Sequence, residues 1–122
     1  DAFYVMGRKG EGAQRLTAGV GWELGRVTDP RGVRADAHGN LYITEGFSNQ
    51  PTLKEIQRIS VFDKEGKIVR VFGRGDRSPD PKGQPQEGQI GPLACDMAFG
   101  PDGRLYVANQ NDKVQILVFR PF

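Results

Sequence analysis

A chain of 122 residues, 37% hydrophobic and 26% charged with 17 glycines and 8 prolines, has the length of one ordinary domain and the composition of a turn-rich protein with few long helices. Its net charge of +2 is far from the blocks of like charge that mark nucleic-acid tails, and no run approaches the roughly 18 consecutive apolar residues of a membrane-spanning helix. The single cysteine, Cys95, excludes an internal disulfide and a multi-cysteine metal site; its apolar neighbours suit a small buried side chain.

In chain order, FYVMGRKG (3–10) reads as a short strand running into glycines, and residues 8–29 form a long polar stretch that holds Trp22 between Gly21 and Glu23. GVRADAHGNLYITE (32–45) is two alternating segments about a glycine turn, a hairpin. The insertion FSNQPTLKEIQ (47–57) separates it from RISVFDKEGKIVRVFG (58–73), two further strands around DKEG. A second long stretch, 74–91, leads to DMAFGPDGRLYVAN (96–109), another hairpin, and to the strand VQILVF (114–119).

The two hairpins are one pattern written twice. Gly39 and Gly103, Leu41 and Leu105, Tyr42 and Tyr106, and Glu45 and Asn109 stand at a constant offset of 64. The second copy lacks a fourth strand, and Val5-Met6-Gly7-Arg8 matches Val71-Phe72-Gly73-Arg74 at an offset of 66. The order along the chain is therefore d, then a-b-c-d, then a-b-c.

Pro30, Gly32, Val33, Asp36, Gly39, Asn40, Tyr42, Arg58, Ile59, Val61, Phe62, Gly66, Phe72 and Gly73 together resemble the blade of the NHL-repeat six-bladed β-propeller family. The resemblance implies an all-β fold with two four-stranded blades, one over about 30–73 and one over about 92–119 completed by strand 2–7. Strand spacing by itself also suits an eight-stranded sandwich or barrel. Propellers close with roughly 4 to 8 blades, and stacked repeats need about three units for a continuous core. Residues 1–122 are thus expected as one propeller segment, completing its ring as a homotrimer, as part of a longer propeller, or on another protein's blades. An isolated two-blade monomer is not expected. The chain begins at Asp1, where a native initiator would be Met; a processed or partial chain, of an exported protein, is the expectation.

In such a fold the short turns DAHG, GPDG and DKEG share one end, while residues 8–29, 47–57 and 74–91 share the other. Long irregular loops commonly carry function, which puts a ligand or partner face at the second end, with Trp22, Phe47, Asn49, Arg74 and Asp96 as its candidates. Gluconolactonase-like propellers bind a cation through a Glu, Asn and Asp set, so Glu45, Asp96 and Asn109 are candidate ligands for calcium, an ion that favours oxygen donors. The competing reading has Glu45 and Asn109 hydrogen-bonded to neighbouring backbone. The motif is also similar to that of the peptidylglycine amidating lyase, but Phe47 stands where that enzyme has its catalytic tyrosine and Leu93 where it has a zinc-binding histidine. The one histidine, His38, falls in a turn at the opposite end, and a catalytic zinc generally needs three protein ligands. Ser48, Ser60 and Ser78 have no convergent histidine for a hydrolytic triad. The glycines of GRKGEG (7–12) and GRGD (73–76) lack the strand-to-helix setting of a phosphate loop. The expected function is a non-catalytic module that binds a partner protein or ligand through its loop-rich face. The alternatives are a metal-dependent enzyme of gluconolactonase or lyase type, and an RNA-binding propeller using Arg8, Lys9, Arg15, Arg26 and Arg31.

Overall fold

Period-two alternation punctuated by glycine turns favours strands, and the computed structural model of the protein has strands and, among its described residues, no helix. It describes residues 4–5, 14–15, 24–27, 29–45, 57–75, 90, 93–110 and 114–120. The strands are β1 (Tyr4–Val5), β2 (Gln14–Arg15), β3 (Pro30–Ala35), β4 (Leu41–Glu45), β5 (Gln57–Phe62), β6 (Ile68–Gly75), β7 (Leu93–Phe99), β8 (Leu105–Gln110) and β9 (Val114–Phe119). They form a two-stranded sheet β1-β2, a four-stranded sheet β3-β4-β5-β6 and a three-stranded sheet β7-β8-β9. Every pairing is antiparallel and joins neighbours in sequence.

Three tight turns close the hairpins at one end. In the first, Asp36 Oδ1 accepts from the backbone N–H of His38 at 2.8 Å and of Asn40 at 2.9 Å, while Oδ2 accepts from Asn40 Nδ2 at 2.8 Å. Asp63 repeats the arrangement toward Glu65 and Lys67. In the third turn Gly100 stands at the aspartate position, and Asp102 instead accepts from Arg104. Gly39 and Gly103, with φ of 85° and 76°, occupy the left-handed conformation that a side chain would strain.

Alternation then sorts side chains onto faces. On the four-stranded sheet Tyr42, Ile59, Val61 and Phe72 look one way, and with Met97, Phe99, Leu105, Val107, Leu117 and Phe119 of the three-stranded sheet they build the larger core, joined by Ile90. Ile43, Phe62 and Ile68 look the other way and are covered by Val27. Aromatic edges knit the two sheets together. Tyr42 meets Phe99 edge to face at 4.9 Å and Phe72 at 6.4 Å, and Phe72 meets Phe119 at 5.1 Å, distances at which ring quadrupoles attract beyond area burial.

The repetition extends to irregularities. The β3-β4 ladder shifts register between Pro30 and Gly32, and the β7-β8 ladder between Ala94 and Asp96, the same place at the 64-residue offset. At the front of the chain, Tyr4 and Val5 pair with Arg15 and Gln14. Of residues 2–7, expected to complete the blade of 92–119, the described Tyr4 and Val5 are paired with β2, and β9 has β8 as its one neighbour among the described strands.

Two measurements follow. Phe99→Ala removes the ring that Tyr42 packs on, and urea denaturation should show a loss of roughly 3 kcal/mol; Val118→Ala, half exposed on the far side of the same sheet, should cost about 0.5 kcal/mol or less. A second effect concerns pH. Burial pushes the Asp36 carboxyl up, but hydrogen bonds from the Asn40 side chain and from the backbone of Asn40 and His38 outweigh it and hold the group below its usual range. A carboxyl with a depressed folded-state value stabilises the fold above its unfolded value, and the benefit vanishes as pH falls through the folded value. The stability difference between wild type and Asp36→Asn should therefore be full at neutral pH and shrink toward zero in acid; a difference unchanged by pH would contradict the assignment.

Candidate functional site

The end of β4 carries the densest buried polar chemistry among the described residues. Glu45 is 3% exposed, Arg58 2% and Ser60 1%, and strand pairing explains how they meet. Glu45 stands directly across from Arg58, and Ile43 from Ser60, so the three side chains share the face that also carries Ile43 and Phe62. Arg58 Nε donates to Glu45 Oε1 at 2.7 Å, and Ser60 Oγ donates to the same oxygen. Arg58 Nη2 reaches the carbonyl of Arg26 at 3.0 Å, tying the segment that supplies Val27 to the sheet. Buried charges are tolerated when paired and hydrogen-bonded in this way, and removal of one partner strands the other.

Asp96 lies elsewhere. Its side chain is 58% exposed, and its Oδ1 pairs with Arg34 Nη2 of β3 at 2.7 Å and accepts from its neighbour Met97 N–H at 2.8 Å. The pair bridges the two sheets, although an exposed pair contributes only about 0–1 kcal/mol. Asn109 is buried and stands across from Ala94 and Gln115. Of the three candidate calcium ligands, Glu45 is thus committed to Arg58 and Asp96 to Arg34. Among the described residues no three of His, Cys, Asp and Glu gather at metal-binding distance. Trp22, Phe47 and Asn49 lie outside the described residues, and Arg74 is described only as backbone within β6.

Sequence reasoning named Glu45 without Arg58 or Ser60 as its partners. The available signal was a charged residue opening a strand that otherwise alternates cleanly, RISVF. The second repeat shows the counterpart. Where the first sheet opposes Glu45 and Arg58, the second opposes Asn109 and Gln115, so both members change from charged to amide together. Each sheet thus opposes two polar residues at the same strand end, both buried in the first, whereas in the second Asn109 is buried and Gln115 exposed.

Compared with known proteins, the chain matches no family model and no curated protein.

Glu45→Gln and Arg58→Gln, made singly, should each destabilise the protein by about 3 kcal/mol, because each leaves a buried charge or donor without its partner. The double variant, which imitates the amide pair of the second sheet, should lose less than the sum by roughly 1–3 kcal/mol of coupling in a denaturation cycle. Strict additivity would show that the pair does not act as a unit.

Proposed function

We propose that the chain is a non-catalytic β-propeller module, two neighbouring blades that accept further blades on one side and bind a partner protein at the end bearing the long connections. The observation that carries this reading is an unequal treatment of two equivalent faces. The leading strands β3 and β7 lie side by side, and the face of the first sheet that meets the second carries the positions of Gly32, Arg34, Tyr42 and Thr44. At the 64-residue offset these become Asp96, Ala98, Tyr106 and Ala108, which share register with Ile116 and Val118 on the outward face of the second sheet. The first face is covered. On the second, Ile116 is 60% and Val118 50% exposed.

A repeat that buries a face in one copy favours burying it in the next, which is how stacked-blade proteins extend. On the opposite face of the first sheet Ile43 and Phe62 are buried with Val27, and Val33 is 38% exposed against the 60% and 50% of Ile116 and Val118, so growth is favoured from the second sheet. Antiparallel pairing supports the placement of the binding end. The turns at 36–40, 63–67 and 100–104 leave the β4-β5, β6-β7 and β8-β9 connections at the other end, where insertions cost the sheets nothing.

Multi-angle light scattering tests the assembly directly. The protein should run heavier than one chain, and the double substitution Ile116→Arg, Val118→Arg should lower that mass while circular dichroism stays the same. A stable, monodisperse wild-type monomer would refute the assembly reading.

A further inference from the structure

We propose that the cleft between the first and third tight turns binds a small aromatic monocarboxylate. The site is independent of blade assembly, since it lies within one chain and at the end opposite the long connections. Its volume is about 220 Å³, and Tyr42, Phe99, Leu105, His38 and Arg120 are among the residues that line it. The Gly100–Gly103 turn lines it as well. That turn is held close: a Cβ on Gly100 would come within 2.9 Å of both Asp102 Oδ1 and Tyr106 Cε2.

Size sets the first limit on the ligand. Drug-sized pockets span roughly 300–1,000 Å³, so this one suits a single ring with its substituent and excludes a nucleotide. Shape sets the second. Two of the lining residues already form an edge-to-face pair, Tyr42 on Phe99 at 4.9 Å, and a flat apolar body extends that packing at little entropic cost.

Hydrogen-bonding capacity sets the third limit. An ionised carboxylate offers about four acceptor sites. Asp36, the one acid lining the cleft, accepts from the backbone N–H of His38 and Asn40 and from Asn40 Nδ2, which occupies three of its acceptor sites. Beside the Tyr42 hydroxyl, the donor side chains lining the cleft are the imidazole of His38 and the guanidinium of Arg120, and neither of these two makes an ion pair among the described residues. A site lined by donors and aromatic rings selects an acceptor on a ring, and a guanidinium such as that of Arg120 favours a carboxylate, which it can meet in paired geometry.

The test is a two-dimensional amide NMR titration of the whole chain with benzoate, with benzylamine and benzyl alcohol as the charge-reversed and neutral probes. Benzoate should shift the amides of Ala37, His38, Gly100, Gly103 and Arg120 saturably, with a dissociation constant on the order of 1 mM. Arg120→Gln should weaken benzoate roughly tenfold and leave benzyl alcohol unchanged, while Lys64→Gln, an exposed residue of the second turn outside the cleft, should alter neither. Arg120 is exposed, so its replacement leaves the fold intact, which the unshifted remainder of the spectrum verifies. No saturable shift at about 20 mM benzoate, twenty times the expected constant, equal binding of benzylamine, or benzoate binding indifferent to Arg120→Gln would each overturn the proposal.

Discussion

A sheet that is apolar on both faces cannot stand in water, because its backbone satisfies itself only within the plane and each face must find cover above and below. The four-stranded sheet is of this kind, with Tyr42, Ile59, Val61 and Phe72 on one side and Ile43, Phe62 and Ile68 on the other. The rest of the architecture answers that requirement. One side is met by the second sheet through edge-to-face aromatic contacts, and the other by the segment ending at Val27, which the buried Arg58 holds by its carbonyl at Arg26. Polar and apolar interactions are thus not separate inventories here. The ion pair of Glu45 and Arg58 positions a main-chain segment, and that segment carries the cover for a hydrophobic face.

Most of this organisation was legible because its causes are local. Alternation and glycine turns are read within a few residues, and β3-β4, β5-β6 and β7-β8 fall on the segments where GVRADAHGNLYITE, RISVFDKEGKIVRVFG and DMAFGPDGRLYVAN place them. The differences lie where pairing continues past a break in alternation. β3 starts at Pro30 and β7 at Leu93, each reaching beyond a register shift that interrupts the pattern. β2 escaped notice for another reason. Two polar residues, Gln14 and Arg15, carry no periodicity, and their pairing with Tyr4 and Val5 follows from the low cost of closing a short loop.

The chemistry was less legible, since it depends on which strand lies across from which. Glu45 drew attention as an oxygen donor, whereas its surroundings are set by Arg58 and Ser60 from the next strand, across an insertion whose length says nothing about register. The cleft lined by Asp36, His38, Phe99 and Arg120 is harder still. Its walls are turns that lie a full repeat apart in sequence and become neighbours only when the two sheets pack. Each turn alone reads as an ordinary hairpin end.

The strictly sequential order of the strands has a kinetic meaning. Within each sheet every strand pairs with its neighbour in the chain, so both meanders can zip from hairpins whose loops close within microseconds. The contacts between Tyr42, Phe72, Phe99 and Phe119 join residues far apart along the chain, and their entropy of closure is repaid only once both sheets exist. Hairpins are therefore cheap to close within each sheet, but neither sheet is covered until the aromatic seam joins them, so pairing and seam stabilise each other. Opening that layer of rings wets both sheets at once, so amide exchange in the two sheets should report one cooperative unit.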